Sequence, residues 1–146
     1  MDKQKWTKQA EAAVEAHTDG SPDVFMYKML DMTFDYFDDP EEVVVKAPVT
    51  EIMLNPVGFI HGGIMTYLAD SAMGHLCAAF NDLPSVSLEL KTQFLRTVKT
   101  GSLTAKASFL KKGRGVQFVE CIIYDDEERV LCKTTGTFYQ VDPTST

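Results

Sequence analysis

The sequence of 146 residues is poor in cysteine, and its three cysteines, Cys77, Cys121 and Cys132, form no CxxC pair. This odd, unpaired set argues against a disulfide framework and a zinc knuckle. The chain also lacks a GxSxG motif, a P-loop and a dinucleotide-binding glycine pattern, which disfavours serine hydrolases, nucleotidases and Rossmann enzymes. His61 and His75 would lie ~21 Å apart on one helix, without acidic partners at helical spacing. We therefore expect neither a cofactor nor a metal site.

Long hydrophobic runs and excess positive charge are absent as well. The N-terminus has no apolar region typical of a signal peptide, and the longest apolar stretch, residues 60–80, is interrupted by Asp70 before it reaches the ~20 residues of a membrane span. Fourteen basic and twenty-one acidic residues give a net charge of −7, which repels phosphate backbones. We expect a cytoplasmic protein with reduced thiols that binds neither nucleic acid nor membranes.

The composition is that of a globular protein, with 45% hydrophobic and 24% charged residues, and the length suits one domain. Helical spacing predicts a weakly amphipathic helix over residues 3–17, and Ser21 and Pro22 predict the start of a second helix that continues to about Leu30. We expect residues 1–31 to form an N-terminal helical segment that packs on or flanks a main domain over residues 32–146.

The main domain begins with two predicted strands, 32–37 and 43–49, around an acidic turn. Residues 61–80 are apolar on almost every side, which predicts a helix buried all round. Four strand-like segments follow, near 85–97, 102–112, 115–125 and 129–140, and their short links predict an antiparallel meander. The pattern predicts an α+β fold, with a curved antiparallel sheet of about six strands wrapped around a long central helix.

A glycine-rich segment, residues 55–63, leads directly into this helix and ends in His61-Gly62-Gly63. Consecutive glycines at a helix start lose more conformational entropy than other residues, which makes sense where the backbone must approach another group closely. The first turn of a helix has free N–H groups and a partial positive charge. This helix start is therefore a candidate site for a carbonyl oxygen or an oxyanion.

Asp70 is the second unusual feature, because it lies among apolar residues in the middle of the same helix. A carboxylate in such surroundings is hydrogen-bonded or has a raised pKa, and either state suits a general base or a nucleophile. A structural aspartate bonded to Thr66 or Ser71, or a solvated helix face, is an equally acceptable interpretation of the sequence.

Helix geometry separates the two features within one chain. Asp70 lies eight residues after Gly62, which is ~12 Å along a helix axis. A two-fold dimer with antiparallel helices would bring the helix start of one subunit beside the middle of the other. If both groups act on one substrate, the protein must be at least a dimer.

Residues 55–70, NPVGFIHGGIMTYLAD, resemble the Asn…His-Gly-Gly…Asp signature of hotdog-fold acyl-CoA thioesterases of the phenylacetate-degradation (PaaI-like) type. The similarity continues through the strand pattern at residues 86–90 and 94–96 and covers roughly residues 40–140. One departure is Thr97, where relatives commonly have proline after Phe-Leu-Arg. The resemblance implies a hotdog fold, hydrolysis of an acyl or aroyl thioester to free acid and CoA, and a homodimer or a dimer of dimers.

The resemblance also implies the role of each residue. Asp70 would be the catalytic nucleophile or the base for the attacking water, which Ser87 would hold. The Gly62 N–H would polarise the thioester carbonyl, Asn55 would orient the carbonyl, the water or the leaving thiol, and His61 would shape the loop. Asn55, His61 and Gly62 would come from one subunit, and Asp70 and Ser87 from the other.

Several further residues are candidates for substrate binding. A basic cluster in a predicted hairpin turn could contact the phosphates of CoA, although a solvated turn explains it almost as well. The candidates for CoA contact are Arg96, Lys111, Lys112 and Arg114, and those for the thioester and acyl group are Gly63, Phe59 and Tyr67.

Two other functions remain open from the sequence. An acyl-CoA hydratase or dehydratase would place a histidine with an acidic residue at the reacting carbon, whereas His61 lies in the glycine loop. A non-catalytic acyl-CoA-binding hotdog protein would bind substrate without releasing thiol. A DNA-binding sensor would need a basic recognition helix, and residues 3–30 are not strongly basic.

Overall fold

The computed structural model describes residues 1–18, 24–142 and 144. The predicted helix start at Ser21 and Pro22 lies outside these residues. The helices are α1 (Lys3–Thr18), α2 (Phe25–Met29) and α3 (Gly62–Phe80), with a 3-10 turn at Glu51–Met53; the strands are β1 (Thr33–Asp38), β2 (Glu41–Pro48), β3 (Ser85–Phe94), β4 (Ser102–Lys112), β5 (Val116–Tyr124) and β6 (Val130–Gln140).

The six strands form one antiparallel sheet in the order β1-β2-β4-β5-β6-β3. The predicted meander holds for β4, β5 and β6 but is wrong for β3, which pairs with β6 at the far edge of the sheet. The predicted strand at 85–97 ends at Phe94, so residues 95–101 form a link that extends up to about 23 Å. Such a link can pass two strands when the sheet curls.

Helix α3 lies in the concave face of this sheet and forms the core with it. Leu68, Met73 and Leu76 of the helix are fully buried. Small residues let the helix approach the strands: Ala105 and Ala107 of β4 are fully buried in the same core. A Cβ at Gly136 would lie 3.2 Å from Met73 Cε, so the absence of a side chain there permits close packing.

One face of α3 is not covered by the sheet in the single chain, so the prediction of a helix buried on every side is wrong for this face. The buried positions of α3 point to the strands, whereas Tyr67, Asp70 and Gly74 are half-buried and Ala78 is exposed. These positions follow helical spacing and form a stripe. The curled sheet therefore leaves a slot along the helix, with β1 and β3 as its two edges.

The N-terminal helices α1 and α2 pack against each other, and each also contacts the main domain. Gln9 Nε2 donates to the Lys28 carbonyl oxygen at 2.7 Å, and the Trp6 indole donates to the Glu51 carboxylate. Leu30, at the end of α2, belongs to the central core. Among the described residues, no helix is both long and apolar enough to span a membrane.

Candidate active site

The loop before α3 is organised by Asn55. Its side-chain Oδ1 accepts hydrogen bonds from the backbone N–H groups of Val57 (3.0 Å) and Phe59 (3.1 Å). Gly58 has φ +81°, a left-handed conformation that glycine adopts without strain. The Asn55 oxygen is thus engaged within the loop, and the side-chain amide N–H groups are what Asn55 can offer to a ligand.

His61 is the N-cap of α3, and it determines which amide at the helix start is available. The Gly63 N–H donates to His61 Nδ1 at 2.9 Å, so this ring nitrogen is an acceptor and carries no proton. The Ile64 and Met65 amides donate to the His61 carbonyl oxygen. Within the described part of the chain, the Gly62 N–H has no acceptor. Gly62 therefore presents the free donor of this helix start.

The Phe94 ring lies beside Gly62. A Cβ at Gly62 would lie 3.0 Å from ring atom Cζ of Phe94, so the absence of a side chain at position 62 leaves room for the ring. Phe94 ends β3 and is 53% exposed. Gly62 is thus partly covered by an aromatic side chain.

Asp70 is half-buried on the open stripe of α3 and lies beside Ser87. Burial raises the pKa of Asp70, and a hydrogen bond with the Ser87 side chain partly offsets this increase. The pairing of β3 with β6 shifts register between Ser87 and Glu89, and such bulges change the direction of side chains. The structure therefore brings together Asp70 and Ser87, two residues that the resemblance to hotdog thioesterases implies for one site.

Asp70 and Gly62 are not brought together within the chain. Both belong to α3, and their eight-residue separation corresponds to ~12 Å along the axis. Since a reacting carbonyl group is far smaller than this distance, one chain cannot apply both groups to it.

A cavity of about 380 Å³ lies in the slot beside Asp70. Its floor is the open stripe of α3, and its walls come from β3, β6 and α2. The lining residues are Tyr27, Tyr67, Asp70, Ser71, Gly74, His75, Ser85, Val86, Ser87 and Phe138. Tyr67, a predicted substrate contact, lines this cavity, whereas Phe59 and Gly63 lie at the helix start.

The predicted CoA-binding residues lie in two places. Lys112 forms an ion pair with Glu41 (2.9 Å), and it lines a second cavity with Arg114 near the C-terminal end of α3. Lys111 and Arg96 are exposed. Within the part of the chain that the structure describes, Lys112 is therefore the one of these four cations with a carboxylate partner that a phosphate would have to displace.

Sequence reasoning missed several residues around the site. Lys99 Nζ lies 4.5 Å from the centroid of the Phe59 ring, which places a cation at the glycine loop. His75 and Tyr27 line the Asp70 cavity. The eight-residue spacing of Tyr67 and His75 on one helix face was a signal for this, but Tyr27 reaches the cavity only through tertiary packing. Among the described residues, no group of three or more His, Cys, Asp or Glu side chains could hold a metal ion.

Comparison with known proteins adds independent information. The family model described as the thioesterase superfamily matches residues 57–132. A 1,4-dihydroxy-2-naphthoyl-CoA hydrolase of Listeria monocytogenes is 32% identical over 93 residues, which cover 62% of this chain and 76% of that protein.

Solved structures show the same fold. A mutant thioesterase of Pseudomonas aeruginosa is 25% identical, with a TM-score of 0.76 and coverage of 90% of this chain and 93% of that one. A Bacillus halodurans protein crystallised with CoA is 20% identical, with a TM-score of 0.85 and coverage of 97% and 96%. The fold is thus a hotdog fold over nearly the whole chain.

Proposed function

Because this chain belongs to the thioesterase superfamily and is a thioester hydrolase, we propose that its substrates are acyl-CoA thioesters. The observation that carries this proposal is the pair of Asp70 and Ser87 in a cavity on the open face of α3. The Listeria monocytogenes relative supports CoA as the thiol, since its name describes a CoA thioester as substrate.

The proposed reaction uses Asp70 as the base or as the nucleophile. As a base, its carboxylate takes a proton from a water held by Ser87, and the water oxygen attacks the thioester carbon. As a nucleophile, it attacks that carbon directly, and water then hydrolyses the resulting anhydride. In both routes the C–S bond breaks, and the products are the acid and CoA.

The Gly62 N–H stabilises the charge that develops on the carbonyl oxygen. A preorganised backbone donor at a helix start is suited to this because it needs no rearrangement during the reaction. Asn55 and His61 support this donor: Asn55 Oδ1 shapes the loop, and His61 Nδ1 accepts from Gly63. Since His61 Nδ1 is engaged in this way, the geometry does not favour a hydratase that uses His61 as its base.

The active unit is proposed to be a homodimer formed through the β3 edges. Strand β3 is an edge of the sheet, and its apolar side chains are exposed, with Leu88 at 62% and Val86 at 47%. A ten-residue edge strand with such side chains is a candidate for pairing with another chain. A two-fold axis at this edge would place two α3 helices antiparallel, so that Asp70 of each copy approaches Gly62 of the other.

Coenzyme A would extend from this site toward basic side chains. Arg96, Lys111, Lys112 and Arg114 remain the predicted contacts for its phosphates, and Lys99 at the glycine loop joins them. These cations are local exceptions in a chain of net charge −7, so they would be needed to attract an anionic ligand.

The proposal is tested by measuring thiol release from a panel of acyl-CoA thioesters that includes acetyl, butyryl, hexanoyl, decanoyl, benzoyl and phenylacetyl groups. We expect turnover of at least one member and stoichiometric formation of free CoA. Tight binding of acyl-CoA without thiol release would instead identify a non-catalytic binding protein.

The pH dependence of kcat/KM should show the raised pKa of Asp70. The ionised carboxylate is the active form, and burial raises its pKa, so activity should fall with decreasing pH at values above the ordinary range for aspartate. Steady-state kinetics from pH 4 to 8, with circular dichroism at each pH to exclude unfolding, provide the measurement. An activity that stays constant down to the ordinary range would contradict this role.

A further inference from the structure

Two residues that line the cavity beside Asp70, Tyr27 and Phe138, lie outside the residues matched by the family model. That model covers residues 57–132, whereas Tyr27 belongs to the short helix α2 of the N-terminal segment. Tyr27 lines the cavity together with Tyr67 and His75 of α3, and the two tyrosine rings lie 6.4 Å apart between centroids.

His75 holds this wall in place. One ring nitrogen, Nε2, lies 3.2 Å from the Tyr27 hydroxyl, and the other, Nδ1, lies 2.6 Å from the Tyr36 hydroxyl. Burial lowers the pKa of His75, so the neutral imidazole, with one donor and one acceptor nitrogen, can satisfy both hydroxyls. Helix α3, helix α2 and strand β1 are thereby connected through one side chain.

The ring of Phe34 makes the wall rigid. It stacks on His75 with a centroid distance of 4.2 Å and contacts Tyr27 at 4.9 Å. The Tyr27 side chain has two rotatable bonds, and both its ring and its hydroxyl have partners. Moving Tyr27 aside would break a hydrogen bond and an aromatic contact, so the wall does not give way easily to a longer ligand.

We propose that Tyr27 is a specificity-determining residue that limits the length of the acyl group. This inference rests on the proposed function, because it takes the Asp70 cavity as the acyl site. The volume of about 380 Å³ is near the lower end for small-molecule sites. With the Tyr27 ring held in place by His75 and Phe34, the substrates would be thioesters of compact acyl groups, either short chains or single rings.

The experiment compares kcat/KM for butyryl-, hexanoyl-, decanoyl- and phenylacetyl-CoA in the wild type, Tyr27→Ala and Tyr27→Phe. Removing the ring should raise the ratio of decanoyl- to butyryl-CoA activity at least about tenfold, since extra methylenes that gain a pocket change specificity by that order. Tyr27→Phe keeps the ring and should keep the wild-type ratio within about threefold.

A matched control is Tyr124→Ala, which removes a tyrosine ring that does not line this cavity. Its ratio of decanoyl- to butyryl-CoA activity should equal that of the wild type. If Tyr27→Ala does not fold, Tyr27→Leu retains an apolar contact with Phe34 and still shortens the wall, so its ratio should also rise. Thermal unfolding of each variant checks the fold.

The outcomes separate the two proposals. Suppose that the wild type hydrolyses acyl-CoA and that folded Tyr27→Ala or Tyr27→Leu keeps the wild-type ratio of decanoyl- to butyryl-CoA activity. This result overturns the length limit and leaves the proposed function intact. An equal shift in Tyr124→Ala also overturns it, because the effect would then not arise from the cavity. A wild type that releases no thiol from any acyl-CoA overturns the proposed function and this inference with it.

Discussion

Asp70→Asn should lower kcat by about 10²- to 10⁴-fold, the usual contribution of a positioned base. The amide has nearly the same shape as the carboxylate and can still accept from the Ser87 hydroxyl, but it can neither take a proton nor form an anhydride. Measuring steady-state kcat with the best acyl-CoA substrate and the purified variant tests this directly.

The stability of the same variant provides an internal control. A raised folded pKa means that the ionised form of Asp70 is disfavoured in the folded state, so its charge opposes folding at neutral pH. Asp70→Asn should therefore have a Tm equal to or above that of the wild type. Asp35→Asn, which neutralises an exposed aspartate of β1, should leave kcat unchanged. Near wild-type turnover in Asp70→Asn would refute the proposed chemistry.

Gly62→Pro should lower kcat by about 10²- to 10³-fold, the loss expected when one oxyanion donor is removed. Position 62 is the first residue of α3 and follows the N-cap His61, whose ψ of 130° suits a residue before proline. Proline is favoured at this helix position, and it deletes only the N–H that the mechanism uses.

Gly62→Ala is the matched control for this substitution. Both variants place a Cβ beside the Phe94 ring, but alanine keeps the amide N–H. We expect Gly62→Ala to retain most of its kcat. If both variants lose activity equally, crowding against Phe94 rather than the missing donor explains the loss, and Gly62 would have no assigned role as an oxyanion donor.

The two inactive variants together test whether the site lies between subunits. In a heterodimer of Asp70→Asn and Gly62→Pro, one site has both defects and the other has neither. Random re-association gives half heterodimers, each with one intact site, so the mixture should recover about a quarter of wild-type activity. If dimers that have been shown to exchange subunits recover no activity, Asp70 and Gly62 do not act in a shared site.

Much of the fold could be predicted from local patterns. The helix at 61–80 and the strands from residue 102 onward follow from apolar periodicity. Each end differs by no more than one residue from the observed bounds, which are Gly62–Phe80, Ser102–Lys112, Val116–Tyr124 and Val130–Gln140. The position of β3 could not be predicted, because a short link suggests a neighbouring strand in a flat sheet. In a curled sheet, the same link passes β6 and β5 and joins β3 at the edge to β4.

The candidate site, like the fold, could be predicted only in part from the sequence. The spacing of Asn55, His61, Gly62 and Asp70 along the chain indicated a reactive helix start and a carboxylate on one helix, and it separated them by ~12 Å. It did not reveal that His61 engages the Gly63 amide and leaves that of Gly62 free, since this depends on the direction of one ring. It also did not reveal which face of α3 the sheet leaves open.

The sequence by itself determined the family, the helix that bears Asp70 and Gly62, and the need for a second copy if both act on one carbonyl group, because helix rise follows directly from residue spacing. Only the tertiary structure decided where the cavity beside Asp70 lies and which residues line it. Tyr27 and His75 are 48 residues apart in sequence, and they meet because the sheet curls and α2 packs against α3. Their contact is long-range, and no local sequence pattern encodes it.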